Sequence, residues 1–132
     1  MIFLDSWIWL EFFQDGKKKE RCKELLTSKE NIIIDPLVLM EIKYRTAKLF
    51  GIKKSEDILL AIESFETLKS VPLFSKTAKF AADLRLKYYN PKRQLSYADC
   101  IHLATAINSG CKRFYSGDPD FKDIKEIDTV II

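Results

Sequence analysis

Short apolar runs alternate with longer stretches of helical period along this chain, and that alternation restricts its fold more than any other feature. Ile32-Ile33-Ile34 is the plainest of the runs: consecutive β-branched residues between Asn31 and Asp35, suited to a strand. Asp35-Pro36 follows at once and reads as a helix start, with Asp as N-cap and Pro in the first turn. Strands that give way to helices, and helices to strands, imply parallel β-α-β crossovers and a sheet covered on both faces.

The same reading extends from end to end. Met1–Asp5 is expected as a buried strand, Ser6–Phe13 as a short aromatic-rich helix and Lys17–Leu26 as a second helix. Asn31–Asp35 is the next strand, and the helix after it should run through Met40 and Tyr44 to Phe50, ahead of Gly51. Further helices are expected over Ser55–Thr67, Ser75–Tyr89 and Ser96–Ser109, with short strands at Ser70–Leu73, Lys112–Ser116 and Thr129–Ile132. Prolines and glycines fall between these segments, and no repeat or low-complexity tract interrupts them. The expected architecture is one α/β domain over residues 1–132, a three-layer α/β/α arrangement around a central parallel sheet.

A chain of 132 residues with 47% hydrophobic residues can bury a sizeable core. Its net charge of +3, from 22 basic and 19 acidic residues, is compatible with a polyanionic partner without demonstrating one. No run approaches the roughly 18 apolar residues of a membrane span. No basic segment precedes the apolar start, which Asp5 cuts short, so neither a signal peptide nor a membrane role is expected, and the location expected is cytoplasmic. Cys22, Cys100 and Cys111 are odd in number and lack zinc spacing, so they read as buried, reduced thiols.

Against this background, acidic residues at Asp5, Glu41, Asp99 and Asp118 are out of place. Asp5 closes the run Ile2-Phe3-Leu4, and Glu41 interrupts Leu37-Val38-Leu39-Met40-Glu41-Ile42. Asp99 opens an apolar helical pattern, and Asp118 follows the run Arg113 to Ser116. Each has a purely structural explanation: Asp5 as the N-cap of the next helix, and Glu41 paired with Arg45 at i,i+4. Likewise, Asp99 can complete a capping box begun by Ser96, and Asp118-Pro119-Asp120 can form an Asx turn. Taken together they point elsewhere. In an open parallel sheet, strand ends and helix starts meet at the carboxyl edge, where ligands bind. Buried carboxylates gathered there need a cation, and hard divalent ions prefer carboxylate and water oxygens.

The ordered blocks Ile2-Phe3-Leu4-Asp5-Ser6, Leu39-Met40-Glu41-Ile42, Leu95 to Ala106 and Tyr115 to Phe121 resemble the PIN-domain family. Within it, the chain resembles the VapC-type ribonuclease toxins of toxin–antitoxin modules. The resemblance spans nearly the whole chain and implies a PIN-like fold with its metal site at the carboxyl edge of the sheet. It implies a Mg²⁺- or Mn²⁺-dependent endoribonuclease in which Asp5, Glu41, Asp99 and Asp118 are catalytic and metal-binding. Ser116 takes the family's hydroxyl position, Ser6 is a further supporting residue, and Asp120 competes with Asp118 as the fourth ligand. Cys100 departs from the Ala common after the third acid. The partners implied are an RNA substrate, a VapB-like antitoxin and a second copy in a homodimer. The Trp7-to-Phe13 segment and the Ile58-to-Phe65 helix are the candidate surfaces.

Other features are weighed against this reading. Lys43, Arg45 and Lys48 share the helix of Glu41 and are the candidates for RNA phosphate contacts. Lys17-Lys18-Lys19 reads as a solvated face, and Trp7, Trp9, Phe12 and Phe13 as core or partner-facing. His102 reads as a packed or hydrogen-bonded helix histidine, because no second ligand residue stands beside it in sequence. An RNA-binding or regulatory module with little activity is the alternative function. A phosphatase with Asp5 as nucleophile is disfavoured, since Asp5-Ser6-Trp7 lacks the second aspartate of an Asp-x-Asp motif.

Overall fold

A computed structural model describes residues 1–132. The strands are β1 (Ile2–Leu4), β2 (Ile32–Ile34), β3 (Leu68–Ser70), β4 (Arg113–Ser116) and β5 (Asp128–Ile131). The helices are α1 (Ser6–Phe13), α2 (Lys19–Leu26), α3 (Pro36–Phe50), α4 (Ile52–Glu63), α5 (Ser75–Tyr88) and α6 (Tyr97–Asn108). Every strand pairing is parallel, and the order in the five-stranded sheet is β3-β2-β1-β4-β5. Helices on both faces complete the three layers.

The central strands carry no polar alternation because both of their faces are covered. Ile2-Phe3-Leu4 and Ile32-Ile33-Ile34 are wholly buried, whereas the edge strands Leu68–Ser70 and Asp128–Ile131 are partly exposed. Phe3 of β1 stacks on Phe114 of β4, with ring centroids 5.0 Å apart, and Phe114 meets Phe121 at 4.7 Å. Helix α6 lies close to the sheet because Ala104 and Ala106, both fully buried, let its backbone approach.

Several boundaries differ from the sequence reading, among them the end of α4 at Glu63 and not Thr67, and three have local reasons. Helix α4 begins at Ile52, not Ser55, because Gly51 takes φ +90° and restarts the helix at once. Ser55 is buried instead, its hydroxyl 2.7 Å from that of Thr46 on α3. Strand β3 covers Leu68–Ser70 and not Ser70–Leu73. Its last sheet bond is Val71 N–H to Ile34 O at 2.8 Å, and Pro72 has no N–H to continue the ladder. Helix α2 starts at Lys19 because residues 14–18 turn the chain, with Asp15 at φ +55°.

The strand order places the site. The chain steps outward from β1 through β2 to β3, then returns across β1 to β4 and β5. The carboxyl ends of β1 and β4 therefore flank the switch point, the crevice where open parallel sheets bind ligands.

Candidate metal centre

Asp5 leaves β1 at this crevice. It occupies the N-cap position of α1, yet its side chain makes no capping bond. Its backbone N–H donates to Tyr115 O at 3.0 Å, tying it to β4. The Ser116 hydroxyl, at the end of β4, donates to Asp5 Oδ2 at 2.7 Å. The carboxylate is thus turned away from its own helix and is only 5% exposed.

Asp35 holds the same place at the end of β2 and does cap its helix. Its Oδ1 accepts from Leu37 N–H at 2.8 Å and Val38 N–H at 3.1 Å. Its Oδ2 lies 2.6 Å from Nδ1 of His102, which projects from α6, fully buried, beside the ring of Phe3. His102 Nε2 lies 2.6 Å from Glu41 Oε1 and 4.0 Å from Asp5 Oδ1. Glu41 projects from the second turn of α3 into this contact and forms no ion pair with Arg45.

The other two acids stand at the rim. Asp99 forms the capping box with Ser96: its Oδ2 accepts from Ser96 N–H at 2.9 Å, and its own N–H donates to the Ser96 hydroxyl at 3.0 Å. Asp118 makes the Asx turn, Oδ1 accepting from Asp120 N–H at 2.9 Å, and its N–H donates to the Ser116 hydroxyl at 3.0 Å. The capping and turn explanations therefore both hold, and the group of potential ligand atoms drawn closest together comprises Asp5, Glu41 and His102 without Asp99 or Asp118. Asp118 is joined to Asp5 through one hydroxyl, and the Asp120 carboxylate bonds to nothing in the cluster.

A common pattern follows. Asp5, Glu41, Asp99 and Asp118 each have one carboxylate oxygen held by a protein donor, from Ser116, His102, Ser96 and Asp120 respectively. The second oxygen of each takes no hydrogen bond from the protein. Such half-held carboxylates are oriented and retain a free acceptor each.

The electrostatics are unusual. A ring placed between two carboxylates carries a proton on both nitrogens, so His102 donates to Asp35 and to Glu41 as an imidazolium. Burial alone would lower its pKa, but hydrogen bonds to Asp35 and Glu41 and the charges of Asp35 and Asp5 outweigh it and hold it up to about 10. Burial pushes Asp5 up to about 6, against the pull of His102 and Ser116, with Glu41 and Asp99 adding to the rise. Burial also holds Asp99 above its ordinary value, against the hydrogen bonds from Ser96 and the charge of His102.

The donor set fits a divalent cation. Asp5, Glu41 and His102 place one polar atom each within 4.8 Å of the others, and of these the two carboxylates can turn a free oxygen to an ion while the protonated ring holds Glu41. A cleft of about 450 Å³ leads to Glu41, lined by Ser6, Trp7, Leu10 and Arg45 among others. Ser6 is buried and makes no hydrogen bond to the acids. Lys43 and Lys48 face a separate groove beside Met40 and Tyr44, so Arg45 alone of the three basic candidates borders the Glu41 cleft. Trp9 is core, whereas Trp7 is half-buried against Gly117, where an added Cβ would sit 2.1 Å from the indole. The Ile58-to-Phe65 surface is largely spent on the core: Ile58 and Ile62 are buried, and Leu60 stands exposed.

Asp35 and His102 were not among the site candidates read from sequence. Asp35 ends a strand as Asp5 does, but its capping role explained it fully. His102 is a hydrogen-bonded helix histidine, as its sequence suggested. Its spacing of i+3 from Asp99 was the one signal that it faces the acids.

The PIN domain family model matches residues 2–127. No curated protein matches the sequence. The fold is similar to that of VapC20 from Mycobacterium tuberculosis, a toxin described as cleaving the sarcin–ricin loop, with 19% identity, TM-score 0.79 and coverage of 96% of this chain and 98% of that one. It is similar to VapBC2 from Rickettsia felis, solved with a fragment of its promoter DNA, at 20% identity, TM-score 0.76 and 98% coverage of both chains. A toxin–antitoxin complex from Klebsiella pneumoniae aligns at 20% identity and TM-score 0.74 over 100% of both chains.

Proposed function

Since the chain belongs to the PIN-domain family, we propose that it is a Mg²⁺- or Mn²⁺-dependent endoribonuclease and the toxin of a toxin–antitoxin pair. The observation that carries this is the set of half-held carboxylates at the switch point, each with one oxygen free. The reading treats Asp5, Glu41 and Asp99 as the ligand set, with Asp118 completing it from the β4 rim and Ser116 aligning Asp5 and Asp118. A divalent ion bound there would polarise the scissile phosphate and lower the pKa of a bound water. Around it, Asp5 and Glu41 supply fixed negative charge at the floor, and the carboxylates at the rim orient the attacking water. Arg45, bordering the Glu41 cleft, is the best-placed of the basic residues to meet an RNA phosphate, ahead of Lys43 and Lys48. Its neutralisation should lower the log–log salt slope of RNA binding by about 1, with smaller changes for the two lysines.

The partners proposed are structured cellular RNA, a VapB-like antitoxin and a second copy of the chain, acting in the cytoplasm. The similar structure from Klebsiella pneumoniae is a toxin–antitoxin complex, and no helix here is long and apolar enough to cross a membrane. Trp7 and Leu10 on the wall of the Glu41 cleft offer an antitoxin segment an apolar hold beside the site.

The decisive assay incubates the purified protein, freed of any antitoxin, with total RNA and either Mg²⁺ or Mn²⁺. Cleavage that stops with a chelator, leaving 5′-phosphate and 3′-hydroxyl ends, is the expected result; intact RNA with both metals sinks the proposal. A second reading, an RNA-binding module with little turnover, is favoured by one observation. His102 supplies an internal cation to Glu41 and Asp35, so the cluster is already partly neutralised by the protein itself. Tight divalent binding without turnover would select that reading.

A further inference from the structure

The cluster contains two residues that the carboxylate ligand set does not use, Asp35 and His102, and both are wholly buried. Buried ionisable groups are costly unless they are paired and hydrogen-bonded. Here they form a chain: the amino end of α3, then Asp35, then His102, then Glu41. The helix fixes Asp35, because Leu37 and Val38 N–H both hold Oδ1. Asp35 fixes the ring, because Oδ2 takes Nδ1 at 2.6 Å. The ring in turn holds Glu41 Oε1 at 2.6 Å and stands 4.0 Å from Asp5. Glu41 is the one acid of the set whose side chain is long and whose carboxylate has no backbone or hydroxyl donor of its own. Without the ring, nothing in the protein would hold it at the cluster.

We propose that His102, backed by Asp35, is a positioning residue that holds the Glu41 carboxylate against Asp5 through Nε2–H and leaves the second Glu41 oxygen free for the divalent ion. The proposal deepens the metal-site reading above and rests on it. The competing possibility is that Nε2 itself ligates the ion, as an imidazole backed by a carboxylate does in many metal sites. The two differ in which ring nitrogen must carry hydrogen, and Asp35 allows that to be set. In Asp35→Asn the amide oxygen stays on the helix N–H groups, so its NH₂ faces Nδ1. The ring must then accept at Nδ1 and carry its hydrogen on Nε2. That tautomer keeps the bond to Glu41 but has no lone pair for a metal.

The test is Mn²⁺ binding to the purified protein, read by the electron-spin-resonance signal of the free ion, without RNA. His102→Leu, which cannot hold Glu41, should bind Mn²⁺ about 10- to 100-fold more weakly. Asp35→Asn should stay within about threefold of the unmodified protein, since Nε2–H persists. His102→Gln, whose amide can donate to Glu41, should recover part of the loss and replaces the leucine variant if that one fails to fold. Thermal melts of the metal-free variants show whether each is folded. Unchanged Mn²⁺ affinity in both His102 variants overturns the proposal. A loss in Asp35→Asn as large as in His102→Leu also overturns it, by making the ring a ligand. If the unmodified protein takes up no Mn²⁺, the metal-site reading itself falls and the proposal with it. Failure to cleave RNA while Mn²⁺ binds as described leaves the positioning role standing and removes only the nuclease reading.

Discussion

The acids at the ends of β1 and β2 are held differently from those at the rim, and the contrast explains what each can do. Asp5, Asp35 and Glu41 surround His102 in a setting where Asp5 is 5% exposed and Asp35 fully buried. They are brought together by side chains from distant parts of the chain, and their charge is partly offset by a buried imidazolium. Asp99 and Asp118 are half-buried and held by their own neighbours, through a capping box and an Asx turn. The inner group is therefore strongly coupled in charge, and the rim group is locally autonomous. Removing an inner member should disturb the whole centre, whereas removing a rim member should subtract one ligand.

The largest expected effect concerns pH. His102 is held up to about 10 in the folded protein against an ordinary 6.5, so its contribution is fully present below pH 6.5 and is lost as the pH rises through about 10. Asp5, raised to about 6, adds a fall between about pH 4 and 6, because it must ionise in a buried place. Urea denaturation of metal-free protein from pH 4 to 10 should show stability declining in both windows. The upper decline should vanish in His102→Leu. A stability that rises between pH 7 and 10 would break the inner-group picture.

Next in size is Asp5→Asn, which should reduce metal-dependent cleavage about a hundredfold or more, since on the proposed reading it removes the charge of a metal ligand while its amide oxygen can still accept from Ser116. The same variant should make the metal-free protein more resistant to urea at pH 8, because an unfavourable buried charge is gone. Activity kept within a few-fold would dissolve the distinction between floor and rim.

Ser116→Ala joins the two regions. Its hydroxyl donates to Asp5 and accepts from Asp118 N–H, so its loss should cost about 1–2 kcal/mol in denaturant unfolding. No measurable change would mean that the regions are not coupled through this residue.

The smallest effect should separate Asp118 from Asp120. Asp118→Asn can keep its turn through the amide oxygen, so a loss of activity, about tenfold, would reflect the lost charge. Asp120→Asn should leave the rate nearly unchanged, because that carboxylate has no bond to the cluster. The reverse order of the two rates would reassign the rim ligand.

Much of this was legible in the residues. The triplets Ile2-Phe3-Leu4 and Ile32-Ile33-Ile34 read as buried strands because a strand covered on both faces needs apolar side chains on both. The capping box at Ser96 and Asp99 and the turn at Asp118 are local hydrogen-bond motifs, written within a few residues of sequence. The ends of β3 and α4 were harder to place, since strand register is decided by the neighbouring strand and Gly51 permits a restart that its neighbours do not announce.

What the sequence by itself determined was the alternating α/β order, the acids at strand ends and helix starts, and the local bonds that hold Asp99 and Asp118. Only the tertiary structure decided which acids meet. It brought Asp35, Glu41 and His102 together across 61 and 67 residues of chain. The physical reason is that caps and turns depend on bonds between near neighbours. A buried ion cluster exists only where the packing of α3 and α6 beside the sheet removes water and makes the charges answer to one another.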